Sequence, residues 1–246
     1  MTNNDPLLDG LAGLATEPPA HLVDRVAARW VTVDGPLGEL FVAYTDHGIA
    51  YLRPADAMAA DGFRNRFKRP LLRGTRPPAG LVPALRAGNS GELEFDLREM
   101  SAFQAAVLRA ARGIPRGELR PYTWIARRID RPRAVRAVGS ALATNPVPLL
   151  IPCHRVTRAD GSPGQYIFGQ ESKQALLRRE GVDLEQIREL TRRGTHFLGS
   201  DTTGVACYPT CRSARRITAA HRREFQTMDQ ARAAGYRPCR HCHPVG

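Results

Sequence analysis

Cys153 and His154 stand side by side and carry two groups that could do chemistry together, a thiol and an imidazole. A thiolate is a strong nucleophile, and histidine can take up its proton near neutral pH. The pair alone is weak evidence for catalysis, because buried inert cysteines are common. Its setting strengthens the case, since a stiff apolar run with prolines, 147–152, precedes it and Arg155 follows. The pattern favours a nucleophilic thiol, and a buried inert cysteine is the alternative.

A glutamate ends the next predicted helix, which covers about residues 170–180 and stops at Gly181. Glu180 would lie at the C-terminus of this helix, where the helix dipole disfavours an anion by roughly a few tenths of a kcal/mol. Pairing with a histidine would offset that cost. The alternative is an exposed helix end with no partner for the carboxylate.

The four remaining cysteines form a C-x3-C pair and a C-x2-C pair that are separated by 27 residues. Two close pairs at such a spacing suit a tetrahedral zinc site with four thiolates. Disulfides, or a site that includes His241 or His243, are the alternatives. Thr227 and Gln230 cap a short predicted helix between the pairs. A unit of this size has little core, so bound metal would supply much of its stability.

The remaining patterns predict the elements that position these residues. Alternating apolar residues from Trp30 to Leu52 predict two or three strands of a hairpin-rich sheet, and the prolines and glycines of 70–91 are typical of a connecting segment. A capping box at Ser101 and Gln104 begins a helix that Gly113 can end.

Two further helices are predicted over about 123–129 and about 133–144. The three residues between them are a short enough connection for a helix-turn-helix. Arg133 and Arg136 would project away from the apolar face of the second helix. A helical hairpin that does not touch DNA is the alternative interpretation.

Composition and charge restrict the possible classes of protein. With 246 residues, 42% of them hydrophobic and 24% charged, collagen, a coiled coil and wholesale disorder are excluded. The net charge of +12 arises from residues 101–181 and 207–246, which carry excesses of nine and six basic residues. Such basic regions are typical of nucleic-acid binding, although a solvated surface is the alternative.

We expect a cytoplasmic protein. No apolar run approaches the ~20 residues of a membrane span, and residues 1–15 lack the basic start of a signal peptide. In that compartment free thiols and metal ligands are favoured over disulfides.

The stretch from Phe103 to Gly181 resembles the C-terminal domain of the O6-alkylguanine-DNA alkyltransferases, also called methylated-DNA–protein-cysteine methyltransferases. The resemblance extends over about eighty residues, and the matching pieces occur in order. They are Ile114-Pro115-Arg116-Gly117-Glu118, Tyr122, Arg136-Ala137-Val138-Gly139, Asn145-Pro146-Val147-Pro148, Ile151-Pro152-Cys153-His154-Arg155-Val156, Asp160-Gly161, Gly164, Tyr166 and Glu180-Gly181.

The resemblance implies a catalytic role for five residues. Cys153 corresponds to the alkyl acceptor, His154 to a base that acts through water, and Glu180 to the carboxylate that orients the histidine. Tyr122 corresponds to the phenol beside the flipped base, and Asn145 to the residue that braces the hinge.

The resemblance also implies contacts with DNA. Arg136 corresponds to the arginine finger that fills the gap left by a flipped base, and Arg133, Ala137 and Tyr166 complete the expected DNA-binding set. A lesion inside a duplex can be reached only if the base is extruded. The thiolate then attacks the alkyl carbon, and the thioether product has no thiol-exchange route back, so each chain acts once.

One region departs from the family pattern. Where the family has small residues around its pocket tyrosine, this chain has Ile167 and Phe168. We therefore expect a narrower pocket that restricts the size of the adduct. The resemblance of residues 30–52 to the family's N-terminal sheet domain is weaker and adds no catalytic residue.

The segments Thr203–Cys211 and Ala234–Pro244 resemble the zinc-binding, methylphosphotriester-accepting domain of Ada proteins. The resemblance implies that the zinc ligands are Cys207, Cys211, Cys239 and Cys242. It also implies that Cys207 accepts a methyl group. In this chain the domain follows the alkyltransferase region and no AraC-like helix-turn-helix follows it, which argues against a transcription-activating role.

These patterns predict an α+β protein. We expect a leader of unknown role at 1–29 and a small β-sheet domain, ribonuclease H-like as in the family, at 30–91. A helical, winged helix-turn-helix-like alkyltransferase domain follows at 98–182. A linker at 183–198 then leads to a four-cysteine zinc module at 199–246.

The expected function is DNA repair. An alkyl or methyl group would pass irreversibly from O6-alkylguanine, or from O4-methylthymine, in double-stranded DNA to Cys153. We expect a monomer with Zn²⁺, no organic cofactor and no membrane partner. One alternative is a lesion-sensing transcriptional regulator that binds DNA. A non-catalytic alkyltransferase-like lesion binder is another, but such proteins lack the acceptor cysteine that Cys153 supplies.

Overall fold

The computed structural model describes residues 26–56 and 58–245. Most of the expected leader therefore lies outside the described residues. The first strand begins at Ala28, slightly before the expected domain boundary at residue 30. Among the described residues, no helix is long and apolar enough to cross a membrane.

The N-terminal part is a four-stranded sheet. Three antiparallel strands follow one another, β1 (Ala28–Gly35), β2 (Gly38–Thr45) and β3 (Gly48–Pro54), as the alternating pattern predicts. A short strand β4 (Leu71–Arg73) pairs in parallel with β1, so the order is β3-β2-β1-β4. Helix α1 (Ala59–Phe67) covers one face of β2 and β3 and was not predicted from the sequence.

The segment 70–91 is more regular than its composition suggests. Besides β4 it contains helix α2 (Leu81–Ala87). Pro83 lies in the first turn of this helix, where its missing N–H costs nothing because first-turn amides have no partner within the helix. The interpretation of 70–91 as a connecting segment was therefore wrong for α2, because Leu81, Ala84 and Leu85 of this helix are buried.

The helical part contains α3 (Ala102–Arg112), α4 (Tyr122–Arg128) and α5 (Val135–Ala143). The capping box at the start of α3 is confirmed, because Ser101 and Gln104 each accept the other's backbone amide. Two short parallel strands, β5 (Arg120–Pro121) and β6 (Val156–Thr157), join the chain before α4 to the chain after the thiol segment. Helix α6 (Gly169–Arg179) completes this part.

The expected linker at 183–198 contains helix α7 (Leu184–Arg192), which Asp183 caps. A second four-stranded sheet follows, with the order β10-β8-β7-β9. Its strands are β7 (Phe197–Ser200), β8 (Val205–Cys207), β9 (Arg222–Phe225) and β10 (Arg237–Pro238). Helix α8 (Met228–Ala233) begins at the predicted capping box of Thr227 and Gln230.

The two faces of the N-terminal sheet pack differently. An aromatic cluster lies between α1 and one face of the sheet. Phe63 and Phe67 of the helix pack there against Phe41 and Tyr51 of the strands. The opposite face, which includes Leu40, belongs to a continuous core that extends through the helical part into the four-cysteine region. The sheet is therefore packed directly against the helices that carry the thiol.

We predict that Phe63→Ala lowers the free energy of unfolding of the N-terminal sheet by about 3–5 kcal/mol, because it opens a cavity in the aromatic cluster. Met58→Ala is a matched control, since this side chain next to α1 is 69% exposed. The control should change stability by less than about 0.5 kcal/mol. Urea unfolding of both variants measures the difference, and equal stabilities would contradict the assigned packing.

Candidate active site and metal centre

A tight buried turn delivers the thiol. The amide of Ile151 donates to the carbonyl of Val147 at 3.0 Å, and Leu149 adopts a φ of 74°. The prolines on either side limit the other conformations of this segment. Cys153 then begins a 3-10 turn over Cys153–Arg155, and its side chain is only 6% exposed.

Asn145 connects the turn to the sulfur. Its side-chain nitrogen donates to the carbonyl of Ile151 at 2.9 Å and to Sγ of Cys153 at 3.2 Å, and its oxygen accepts the amide of Val147 at 3.0 Å. Burial raises the pKa of the Cys153 thiol, although the Asn145 hydrogen bond and the nearby Lys173 oppose this effect. The thiol is therefore protonated near neutral pH and needs a base.

His154 and Glu180 form a pair that could act as a base and its orienting group. His154 Nε2 lies 2.9 Å from Oε1 of Glu180, so the helix-end carboxylate does pair with a histidine. Arg155 donates to both oxygens of the same carboxylate, at 2.9 and 2.8 Å. Burial alone would raise the pKa of Glu180, but the hydrogen bonds from His154 and Arg155 outweigh it and lower the value to about 2.

The imidazole is set up to accept a proton. Burial lowers the pKa of His154 more than the Glu180 carboxylate raises it, so the ring is neutral at neutral pH. Nε2 faces the carboxylate, whereas the buried Nδ1 has no hydrogen-bond partner among the described residues. A neutral histidine with one ring nitrogen held by a carboxylate is suited to general-base chemistry at the other.

Lys173 also lies in this site, although the sequence analysis did not identify it. It is fully buried, and Nζ donates to the carbonyls of Val156 and Gly164 at 2.6 and 3.1 Å. Burial lowers its pKa to about 8, with an opposing contribution from the thiol of Cys153. One feature of the sequence could have drawn attention to Lys173, namely that only two of the 36 basic residues are lysines.

Arg53 is a second residue that the sequence analysis missed. It comes from β3 and donates to the carbonyls of Pro146 and Asn145 at 3.1 and 3.2 Å. The amide of Leu52 donates to the same Pro146 carbonyl at 2.9 Å. The N-terminal sheet thus holds the residue pair that begins the thiol-bearing turn, and nothing in the strand pattern indicated it.

Aromatic residues form the wall beside the imidazole. The ring of Tyr166 packs edge-on against His154 and Phe168, with distances of 5.9 and 5.4 Å between the ring centroids. Tyr122 lies so close to Gly164 that a Cβ there would collide with its hydroxyl. Of the two residues that depart from the family pattern, Phe168 packs on the pocket tyrosine, whereas Ile167 is 37% exposed.

Three of the four residues expected to contact DNA lie on the outside of the helix-turn-helix. Arg133 precedes α5, and Arg136 and Ala137 lie in its first turn; all three are exposed. Val138 and Leu142 of the same helix face the core. The structure therefore separates this surface set from Tyr166, which is packed beside His154.

The remaining four cysteines meet at one point. The sulfur atoms of Cys207, Cys211, Cys239 and Cys242 lie within 4.8 Å of one another and are buried. All four are free thiols, which excludes the disulfide alternative in this structure. Nε2 of His241 lies 3.0 Å from Glu118 Oε1, so the imidazole already has a hydrogen-bond partner. Four converging thiols fit the tetrahedral coordination of Zn²⁺.

Comparison with known families finds two matches that follow one another along the chain. Residues 102–182 match the family described as "6-O-methylguanine DNA methyltransferase, DNA binding domain". Residues 186–245 match the "Metal binding domain of Ada". Zinc is thus the metal of the four-cysteine centre. The second match begins inside α7, within the segment that the sequence analysis assigned to a linker.

Two relatives illustrate the likeness. The "Bifunctional transcriptional activator/DNA repair enzyme Ada" of Escherichia coli is 33% identical over 188 residues, which are 72% of this chain and 52% of that protein. This chain thus spans about half the length of that Ada. The "Methylated-DNA--protein-cysteine methyltransferase" of Mycolicibacterium paratuberculosis is 41% identical over 154 residues, 61% of this chain and 90% of the relative.

A solved structure agrees with the methyltransferase matches. The OGT of Mycobacterium tuberculosis in complex with DNA is 33% identical, with a TM-score of 0.52. The superposition covers 65% of this chain and 98% of that protein. The chain belongs to the methylated-DNA–protein-cysteine methyltransferase family and carries an Ada-type zinc-binding domain in addition.

Proposed function

We propose that this protein repairs double-stranded DNA by transferring an alkyl or methyl group from O6-alkylguanine, or O4-methylthymine, to Cys153. One observation carries the proposal: Asn145 binds the Cys153 sulfur while the adjacent His154 is held by Glu180. The names of the relatives support it, since they describe methylated DNA as the substrate and a protein cysteine as the acceptor. The free thiols and a DNA substrate fit the cytoplasm.

The residues suggest how the transfer proceeds. His154 takes the thiol proton through a water at Nδ1, the ring nitrogen that has no partner among the described residues. The Sγ–carbon bond forms while the bond between carbon and O6 breaks, and the electron pair of that bond returns to the guanine. Tyr122 lies beside the extruded base, and Asn145 keeps the thiolate in place. The thioether ends the cycle, because no thiol exchange reverses it.

DNA would lie along α5. Arg133 and Arg136 are exposed at the start of this helix, within the stretch that carries nine excess basic residues. Arg136 would enter the stack where the lesion leaves it, and Arg133 would contact phosphate. Ala137 allows close approach of the helix, and Tyr166 lines the pocket for the base. We also propose that the chain is divided into a sheet domain, an alkyltransferase domain and a zinc module.

Cys153 is predicted to accept one alkyl group per chain. With an O6-methylguanine duplex, peptide mapping should find the mass of one added methylene on the peptide that contains Cys153. Cys153→Ala should bind the duplex and transfer nothing. Turnover beyond one equivalent, or loss of the lesion with unmodified Cys153, would contradict the mechanism.

Arg136 is predicted to act only when the lesion is in a duplex. Since losing the wedge leaves part of the unstacking cost uncompensated, Arg136→Ala should slow transfer from a duplex by about tenfold. Transfer from a single-stranded oligonucleotide should be unchanged, because that substrate has no gap to fill. Arg109→Ala, which removes an exposed charge from α3, is the matched control. Equal slowing on both substrates would show that Arg136 has another role.

The zinc module offers a second acceptor, and we propose that Cys207 takes methyl groups from phosphotriesters. A zinc-bound thiolate remains nucleophilic toward soft carbon. The sulfur of Cys211 accepts hydrogen bonds from the backbone amides of Ser213 and Ala214, and the His241 amide donates to Sγ of Cys239 at 3.4 Å. Hydrogen bonds of this kind reduce the nucleophilicity of those thiolates. The alternative is a structural zinc site, which the 1% exposure of Cys207 favours.

A methylphosphotriester oligonucleotide distinguishes the two. In a Cys153→Ala chain it should methylate Cys207 and leave Cys211, Cys239 and Cys242 unmodified, as read by peptide mass. Zinc content is measured in the same sample. An unlabelled Cys207 with zinc retained would mean that the module has a structural role.

A further inference from the structure

A short turn between Ile114 and Arg120 connects the thiol site to the zinc module. On the side of the thiol site, the amide of Gly117 donates to Oε2 of Glu180 at 3.1 Å. The carbonyl of Ile114 accepts from Arg155 at 2.7 Å, and Arg116 donates to the carbonyl of Arg179 at 3.0 Å. The turn therefore holds the same carboxylate that orients His154.

The other side of the turn is held by the zinc module. Arg215 donates to the carbonyl of Gly117, and the amide of Leu119 donates to the Thr210 hydroxyl at 2.8 Å. Oε1 of Glu118 accepts the amide of Arg212 at 3.1 Å. Each of these partners lies in the segment that follows Cys207 along the chain.

The contacts of Glu118 reach the metal centre itself. The same carboxylate oxygen lies 3.0 Å from Nε2 of His241, which stands between two cysteines of the cluster. Its other oxygen accepts from the buried guanidinium of Arg120. Next to this pair, Nε1 of Trp124 donates to the carbonyl of Cys242 at 3.0 Å. Buried polar contacts of this kind are costly to break, because each lost partner leaves an unsatisfied group.

Gly117 is the residue at which the two sides meet. Its N–H donates to Glu180, at the end of α6, and its carbonyl accepts from Arg215 of the zinc module. The two polar backbone groups of this residue therefore bind different parts of the chain. Its φ of 74° lies in the left-handed region that glycine favours. A Cβ here would come within 2.8 Å of the Glu180 carbonyl and 3.2 Å of the Arg215 guanidinium.

We propose that the zinc module positions Glu180 through Gly117, which makes Arg215 a positioning residue for alkyl transfer at Cys153. The inference rests on the proposed transfer reaction. Without the guanidinium, the Gly117 carbonyl loses its donor, and the turn holds the Gly117 N–H less firmly against Glu180. One of the hydrogen bonds that fix the carboxylate toward His154 is then weakened. The module therefore tunes the base from a distance and contacts neither the thiol nor the substrate.

The pH profile of transfer reports this coupling. His154 is faced by the Glu180 carboxylate, the Arg155 and Lys173 cations, the Tyr166 ring and the neighbouring thiol of Cys153. Of these groups, only the carboxylate raises the pKa of the imidazole. If Glu180 is less well oriented, the pKa of His154 falls further and the acid limb of the rate profile moves to lower pH.

The experiment compares full-length, zinc-loaded variants. Single-turnover transfer is measured at saturating O6-methylguanine duplex across pH. Arg215→Ala should slow transfer about fivefold, the effect of one lost hydrogen bond, and shift the acid limb to lower pH. Arg215→Lys, which keeps a donor for the Gly117 carbonyl, should restore both. Arg232→Ala is the control, since this arginine of the module pairs on the surface with Asp229.

The outcomes are separable. If wild-type protein transfers no alkyl group, the proposed reaction fails before the coupling is tested. If it does transfer, an unchanged rate and acid limb in zinc-loaded Arg215→Ala overturn the coupling. The coupling is also overturned if transfer is slower, the acid limb of the pH profile is unshifted, and Arg215→Lys does not restore the rate. That combination indicates a general structural defect. Should Arg215→Ala lose zinc, Thr210→Val, which removes the acceptor of the Leu119 amide, replaces it. Thr210→Ser, which keeps that hydroxyl, then takes the place of the lysine variant.

Discussion

The buried carboxylate of Glu180 holds together parts of the chain that are far apart in sequence. It accepts hydrogen bonds from Arg155 and Gly117 and pairs with His154, while Arg155 also donates to the carbonyls of Ile114 and Gly88. A buried charge is tolerated only with such partners, and removing one partner of a buried pair costs about 3–5 kcal/mol. Because the pKa of Glu180 is lowered to about 2, its stabilising contribution is complete above its ordinary value of 4.5 and is lost as the pH falls toward 2. The network is therefore intact at neutral pH.

The same burial sets the resting state of the thiol. Burial raises the pKa of Cys153 and lowers that of His154, so the neutral thiol lies next to a neutral imidazole. A protonated, buried thiol reacts slowly with oxidants and with stray alkylating agents. For a thiol that the proposed reaction would consume after one use, this protection would have value. The cations of Arg53 and Lys173 favour the thiolate, which lowers the cost of forming it once the substrate is in place.

Local signals in the sequence predicted local structure well. The capping boxes before α3 and α8 and the paired cysteines are short-range patterns whose physical basis lies within a few residues. The helix dipole left two alternatives for Glu180, a histidine partner or an exposed helix end; the family resemblance favoured the first, and the structure shows it. Helix α2 was missed because proline content was weighed without regard to its position in the first turn. Arg53 and Lys173 were missed because their partners are backbone carbonyls, which leave no trace in residue types.

The contact between the zinc module and the helical part is polar as well as apolar, and this has a consequence for the metal centre. Trp124 binds the carbonyl of Cys242, and Glu118 binds His241, so separating the two parts would leave buried donors and acceptors unpaired. The docked arrangement is thus favoured even though the module itself has little core. Methylation of Cys207 would remove one negative charge from a zinc cluster that lies beside this interface. Glu118, which binds His241, directly follows Gly117, whose amide binds Glu180. A change at the zinc cluster would therefore act close to the carboxylate that pairs with His154.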